Sequence, residues 1–284
     1  MKIIWVLENI EKNKNFYSKF NILLLITSTI LWKRNHPEDI CVLYADDMTI
    51  DVLDRLKILE VWDQIKCLPK PINVNKTVFW ASAKLQVLAE VNEPVILMDN
   101  DTHVYKPLKH LLELDKNYVT NFEIGKGYYP TSIDPYVRKL KYKPRWKTEA
   151  VNVSFLYLPD YVFTQKYAKT SIGIMEEFTS LNAPNPQYLI FAEQLLLRHM
   201  MDLDNLQYRP LIKNSWNCTN KTWEQDDNKG LWDIEGSEQY FKHYGPMKSY
   251  VLDNRGGENY EKEMKHLLNC INFPNLDLSS IKKR

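Results

Sequence analysis

Asp99 and Asp101, separated by Asn100, follow directly on the apolar run Val95-Ile96-Leu97-Met98. Residues i and i+2 of a strand point the same way, and a slight turn brings one oxygen from each carboxylate to a single hard divalent cation. Without a cation two such acids repel each other where a buried strand emerges. The plain alternative is a capped turn carrying surface acids. A second constellation is His243-Tyr244-Gly245-Pro246-Met247-Lys248. An imidazole completes an Asp/Asp metal set, a glycine lets backbone approach a phosphate, and a lysine three residues on can pair with that phosphate. Taken singly, His243 is a satisfied histidine and Lys248 a solvated one. Joined to the Asp pair, they compose a diphosphate–metal site.

The elements that must position these residues follow from periodicity. Ile3–Leu7 reads as a strand, and residues 16–34 as a helix with Phe16, Phe20, Leu23, Leu24, Thr27 and Leu31 at helical spacing. Ile40–Tyr44 is a second strand, ending at Ala45-Asp46-Asp47. Residues 49–62 form an amphipathic helix, Ile65–Leu68 a third strand, residues 80–91 a helix, and Pro94–Met98 a fully apolar strand. Strand–helix alternation of this kind predicts an α/β fold, a mostly parallel, doubly wound sheet covered by helices. Ligands bind such sheets beyond the carboxyl ends of the strands, where the Asp99–Asp101 cluster stands.

Beyond residue 104 the alternation fades. Lys109–Leu114 reads as a short helix, Tyr118–Phe122 and Val151–Leu158 as strands, and residues 161–181, 188–201 and 260–270 as helices. Residues 124–148 form an aromatic and basic loop, either a lid, an acceptor platform, or a surface loop with its rings packed down; residues 205–250 hold short strands at best. No repeat or linker divides the chain, which predicts one domain over residues 1–284 with a specialised second half.

Composition limits the function classes. The chain has 284 residues, 44% of them hydrophobic and 26% charged, which excludes disorder, collagen and coiled coil. Lys+Arg 37 against Asp+Glu 36 leaves no global field for nucleic acid or an anionic membrane. The cysteines Cys41, Cys67, Cys218 and Cys270 lack metal or disulfide spacing and read as reduced and mostly buried, which predicts a cytoplasmic setting. The opening residues read as a short strand, not a signal peptide, and the apolar stretch Phe20–Trp32 is too short to span a bilayer.

Together the motifs resemble those of GT-A-type glycosyltransferases, in particular the glycogenin-type retaining enzymes of glycosyltransferase family eight. Lys84-Leu85 resembles that family's lysine that reaches the donor, and residues 97–104 its metal-binding strand. Val151-Asn152-Val153-Ser154 resembles its Asn-x-Gly segment under the sugar, and Glu193-Gln194-Leu195-Leu196 its Asp-Gln-x-Leu-Leu helix. His243-x-Gly245-x-x-Lys248 resembles its late motif, and Tyr17 stands where the family sets a tyrosine against the base. This chain departs from the pattern: His243 and Gly245 are one residue closer, Ser154 replaces a glycine, Glu193 an aspartate, and Ser249-Tyr250 a Pro-Trp pair.

The resemblance implies a GT-A-like fold whose nucleotide-sugar half is 1–104 and whose acceptor half is 105–284. It implies that Asp99, Asp101 and His243 hold Mn²⁺ or Mg²⁺. Tyr17, Asp46, Lys84, Asn100, Asn152, Gly245 and Lys248 would bind the donor, a nucleotide-sugar of UDP type. Glu193 and Gln194 would line the sugar, with retention if the stereochemistry follows the family; in an inverting enzyme Glu193 becomes the base, and a polar stripe on an apolar helix is the plain alternative. The acceptor is any free hydroxyl, of a glycan, protein, lipid or modified nucleobase. Two other readings use the same residues: a nucleotidyltransferase or phosphohydrolase that cleaves at phosphorus, and a non-catalytic nucleotide-sugar-binding module.

Overall fold

The computed structural model describes residues 1–8, 19–125, 128–142, 149–225, 230–233, 239–245 and 258–271. The chain divides into two compact units, one of Met1–Cys67, Met98–Leu111 and Ser237–Arg284, the other of Leu68–Leu97 and Leu112–Gly236.

The first unit is built on β1 (Lys2–Leu7), β2 (Ile40–Ala45) and β3 (Gln64–Cys67), paired in parallel with Lys2 opposite Ile40 and Val42 opposite Gln64. Between β1 and β2 runs α1 (Lys19–Asn35), whose residues Ile22 to Thr29 are all buried. A helix apolar all round is a core helix, which explains the absence of a polar face. Of its interior hydroxyls, that of Thr29 bonds back to the Leu25 carbonyl at 3.2 Å and that of Ser28 makes tertiary bonds. Ser28 accepts from Trp5 Nε1 at 2.9 Å on β1 and donates to the Thr102 carbonyl at 2.6 Å. Thr102 opens β5 (Thr102–Val104), which pairs antiparallel with β11 (Phe241–His243). A last helix, α7 (Glu258–Ile271), packs on α1.

The second unit contains α3 (Ser82–Leu88), β4 (Val95–Met98, whose last residue belongs to the first unit), β6 (Asn117–Ile124), β7 (Glu149–Leu158) and α4 (Tyr161–Ser180). α5 (Gln187–Ile190) passes into a π-helical segment, Phe191–Leu195, and then α6 (Leu196–Leu203). The strand order is β10 (Thr222–Glu224), β9 (Ser215–Asn217), β6, β7, β4, with β8 (Tyr208–Pro210) also on β6. β6 runs parallel to β8 and β9 and antiparallel to β7. The register shifts between Val119 and Asn121, where Thr120 Oγ1 takes the Phe155 N–H at 2.8 Å. The fold class is mixed α/β with mostly parallel pairing and flanking helices, as the alternation predicts.

Several boundaries differ from expectation for local reasons. The helix expected over 49–62 is α2 (Asp47–Arg55) followed by a separate 3₁₀ turn, Leu59–Val61. Lys57 adopts φ 56°, and the Lys57 and Ile58 N–H groups close back on the Asp54 and Leu53 carbonyls at 2.8 and 3.2 Å. That is the Schellman ending of a helix, here without glycine. The short helix expected at 109–114 is a 3₁₀ turn, Lys109–Leu111. All four cysteines are free, but only Cys41 is buried; Cys67 is exposed and Cys218 and Cys270 are intermediate. Among the described residues no helix is long and apolar enough to cross a membrane.

Candidate functional site

β4 delivers the chain into a tight turn, Asp99-Asn100-Asp101, closed by the Thr102 N–H on the Asp99 carbonyl at 3.1 Å. The two acids therefore converge through a turn and not through the alternation of a continuous strand. β5 leaves that turn and is held along its length by α1. Besides the Ser28–Thr102 bond, His103 Nε2 donates to the Leu24 carbonyl at 3.0 Å, and Asn35 Nδ2 to the Val104 carbonyl at 2.9 Å. The other edge of β5 pairs with β11 in a register that sets His243 opposite Thr102. The ladder continues one residue further, with the Tyr244 N–H on the Asp101 carbonyl at 2.9 Å.

This pairing brings together residues 142 positions apart in sequence (243 − 101). His243 Nε2 lies 3.6 Å from Asp101 Oδ1, and one ligand atom each of Asp99, Asp101 and His243 lies within 4.8 Å of the others. Donors about 2.2 Å from an ion, on opposite sides of it, stand about 4.4 Å apart. Two carboxylate oxygens and an imidazole nitrogen, with Asp101 buried and the others half-buried, thus form a set that could hold a divalent cation. Gly245 follows, and a Cβ there would meet the His243 Cε1 and Nε2 atoms at 2.7 Å. The missing side chain is what leaves room for the imidazole.

Behind these residues stand two buried rings, His103 and Tyr244. Burial pushes the His103 imidazole down to about 3, so it stays neutral and works only as a donor. Tyr244 is fully buried, with its ring 5.0 Å from that of His103. Burial also raises the Tyr244 phenol well above its ordinary range, which keeps it protonated. Its hydroxyl donates to Glu263 Oε2 at 2.9 Å.

The remaining residues singled out in the sequence fall as follows. Asn100 sits between the two acids, its Oδ1 buried and without a hydrogen bond among the described residues. Asp46 caps α2, accepting the Thr49 N–H at 2.9 Å and the Thr49 hydroxyl at 3.0 Å. Tyr17 and Lys248 lie outside the described residues.

In the second unit, Lys84 on α3 reaches Glu193 Oε1 at 3.4 Å. Glu193 and Gln194 both stand in the π-helical segment, a departure from α-geometry that is frequent at functional sites. α4 supports it from behind: Tyr167 donates to the Glu193 carbonyl at 2.7 Å and Ser171 to the Ala192 carbonyl at 2.8 Å. Gln194 Oε1 is buried without a hydrogen bond among the described residues. Asn152 on β7 is fixed at both ends of its amide, Nδ2 on Glu123 Oε1 at 2.7 Å and Oδ1 on the Ser154 N–H at 3.0 Å.

Glu123 escapes sequence reading because an acid in a strand carries no motif. It also takes the Tyr129 hydroxyl at 2.9 Å, which packs part of the aromatic loop down. Tyr136 likewise stacks edge-on against Tyr188 at 5.7 Å, so these rings of the loop are anchored. Tyr244 and Glu263 are missed for a similar reason, since nothing local links them.

Similarity to known proteins was found at two levels. No curated protein sequence matches the chain. Among solved structures, the glycosyltransferase GlyE of Streptococcus pneumoniae TIGR4 shares 15% identity at a TM-score of 0.39, over 74% of this chain and 45% of GlyE. This chain therefore spans under half of GlyE. The galactosyltransferase LgtC, solved with donor and acceptor sugar analogues, shares 11% identity at a TM-score of 0.39, over 74% of this chain and 73% of LgtC. The PaToxG glycosyltransferase shares 12% identity at a TM-score of 0.42, over 98% and 80%. A family model matches residues 1–255, and by that match the chain belongs to the "Family of unknown function (DUF6734)".

Proposed function

We propose that this chain is a metal-dependent glycosyltransferase that moves a sugar from a nucleotide-diphosphate sugar to an acceptor hydroxyl, with retention, as one catalytic domain over residues 1–284. One observation carries the proposal: Asp99, Asp101 and His243 converge to within 4.8 Å. The ordered resemblance to family-eight motifs supports the reaction class.

In this reaction the bond from the anomeric carbon to the β-phosphate oxygen breaks and the nucleoside diphosphate departs with the electron pair. A bond from the acceptor oxygen to that carbon forms, and the acceptor proton is released. Asp99, Asp101 and His243 would hold Mn²⁺ or Mg²⁺, which when bound supplies Lewis-acid stabilisation of the leaving diphosphate. Lys248 adds a further positive charge there, and Gly245 lets backbone come near the phosphates. By the resemblance, Tyr17 would serve the base of a UDP-type donor, with Asp46 and Asn100 as further donor-binding residues. Lys84 steadies the donor, and Asn152 and Glu193 line the sugar. The buried Oε1 of Gln194 supports a place for this residue at the anomeric carbon. The four free cysteines suit a reducing, cytoplasmic compartment.

Incubation with a panel of UDP-sugars and Mn²⁺ tests the proposal. Nucleoside diphosphate and free or transferred sugar are expected, lost on chelation. Asp101→Asn and Asp99→Asn should each lower the rate by about 10²–10³-fold while the fold persists. Nucleoside monophosphate as product would assign cleavage to phosphorus and overturn the reading. So would a variant retaining more than about a tenth of the rate.

A further inference from the structure

Tyr244 is gripped at both ends. Its N–H is bonded to the carbonyl of Asp101 at 2.9 Å, and its hydroxyl to Glu263 Oε2 on α7 at 2.9 Å. It follows His243 directly, so one fully buried residue joins two of the three converging side chains to a distant helix. Lys242 completes the junction, its Nζ 4.1 Å from the Tyr244 ring centroid and 3.4 Å from both Glu263 oxygens.

α7 is seated by contacts other than those of Glu263 as well. The helix buries Leu267 and Ile271, accepts Arg34 NH2 on the Cys270 carbonyl at 2.7 Å, and meets Phe20 through the Tyr260 ring at 6.0 Å. A carboxylate facing inward beside those contacts is costly to desolvate unless it is bonded. Among the described residues its bonds go to Lys242 on β11 and to Tyr244, the residue that follows His243.

We infer that Glu263 is a positioning residue for the metal ligands, acting through Tyr244 to hold β11, and with it His243, in register beside Asp101. The inference rests on the metal reading of Asp99, Asp101 and His243. Partners that orient ligands without touching the ion typically change metal affinity by about 10–100-fold. α7 thereby becomes part of the site without contributing a ligand.

The test is Mn²⁺ titration of the full chain followed by electron paramagnetic resonance, with metal-free melting measured alongside. Glu263→Ala and Tyr244→Phe should each weaken Mn²⁺ binding about tenfold or more. Glu263→Gln, which still accepts the phenol hydrogen bond, should bind close to wild type. Glu261→Ala, on the exposed side of α7, should change neither reading. If Glu263→Ala does not fold, Tyr244→Phe against Glu263→Gln decides. Wild-type affinity in Glu263→Ala or Tyr244→Phe, with Asp101→Asn still abolishing binding, overturns this inference alone. A folded wild-type chain that binds no Mn²⁺ overturns the metal reading and this inference with it.

Discussion

The His-x-Gly spacing at 243–245 has a steric cause as well as the chemical one. A methyl group at Gly245 would stand 2.7 Å from two atoms of the His243 ring, closer than any carbon contact allows. Gly245→Ala should therefore turn the imidazole away and weaken Mn²⁺ binding about tenfold or more, with metal-free melting near wild type. Unchanged affinity would show that the ring has another place to go. In sequence the glycine suggests a place where backbone could approach a phosphate; the contact with its neighbour's ring is not legible there, because it depends on the path of β11. Asp99, Asp101 and His243 stand out as a candidate set because few side chains carry metal chemistry and these stand in short motifs. Their convergence is not legible across 142 positions (243 − 101), because it depends on the β5–β11 ladder.

At the scale of elements, long periodic segments were readable and short or irregular ones were not. Residues 161–181 were expected as a helix, and α4 covers Tyr161–Ser180. β5 and β11 have three residues each, too few for an alternation pattern to register. The π-helical segment is invisible in sequence, since its apolar spacing still reads as α-helix. α4 adds hydrogen bonds to its carbonyls, so Tyr167→Phe, which removes the one to Glu193, should cost about 0.5–1.5 kcal/mol in urea denaturation. α2 ends on Lys57 at φ 56° where no glycine announces a stop. Lys57→Gly should stabilise the protein by about 1 kcal/mol, read as a raised denaturation midpoint with unchanged slope. A fall in midpoint would mean that the lysine makes compensating contacts.

At the scale of the whole molecule, stability is linked to pH through His36. It is buried, and its Nε2 accepts the Leu108 N–H at 2.9 Å and the Lys109 N–H at 3.3 Å. Burial lowers its folded-state pKa below the unfolded value of about 6.5. Below about pH 6.5 the unfolded chain binds the extra proton, so this contribution is complete above that pH and is lost as pH falls toward the folded value. Denaturation at pH 8 and pH 5 should show a smaller difference for His36→Gln than for wild type. The fold class was legible from the alternation of apolar runs and helical patterns in the first hundred or so residues. The second half was less so, because its strands pair over long sequence distances and its short edges carry little signal.

The central claim is that Asp99, Asp101 and His243 clasp one dication. A crystal structure with Mn²⁺ and UDP, located by anomalous scattering at the manganese edge, tests it most directly. One peak is expected within about 2.0–2.4 Å of an oxygen from each aspartate and a His243 nitrogen. A peak elsewhere, or diphosphate bound with no metal among these three side chains, would contradict it.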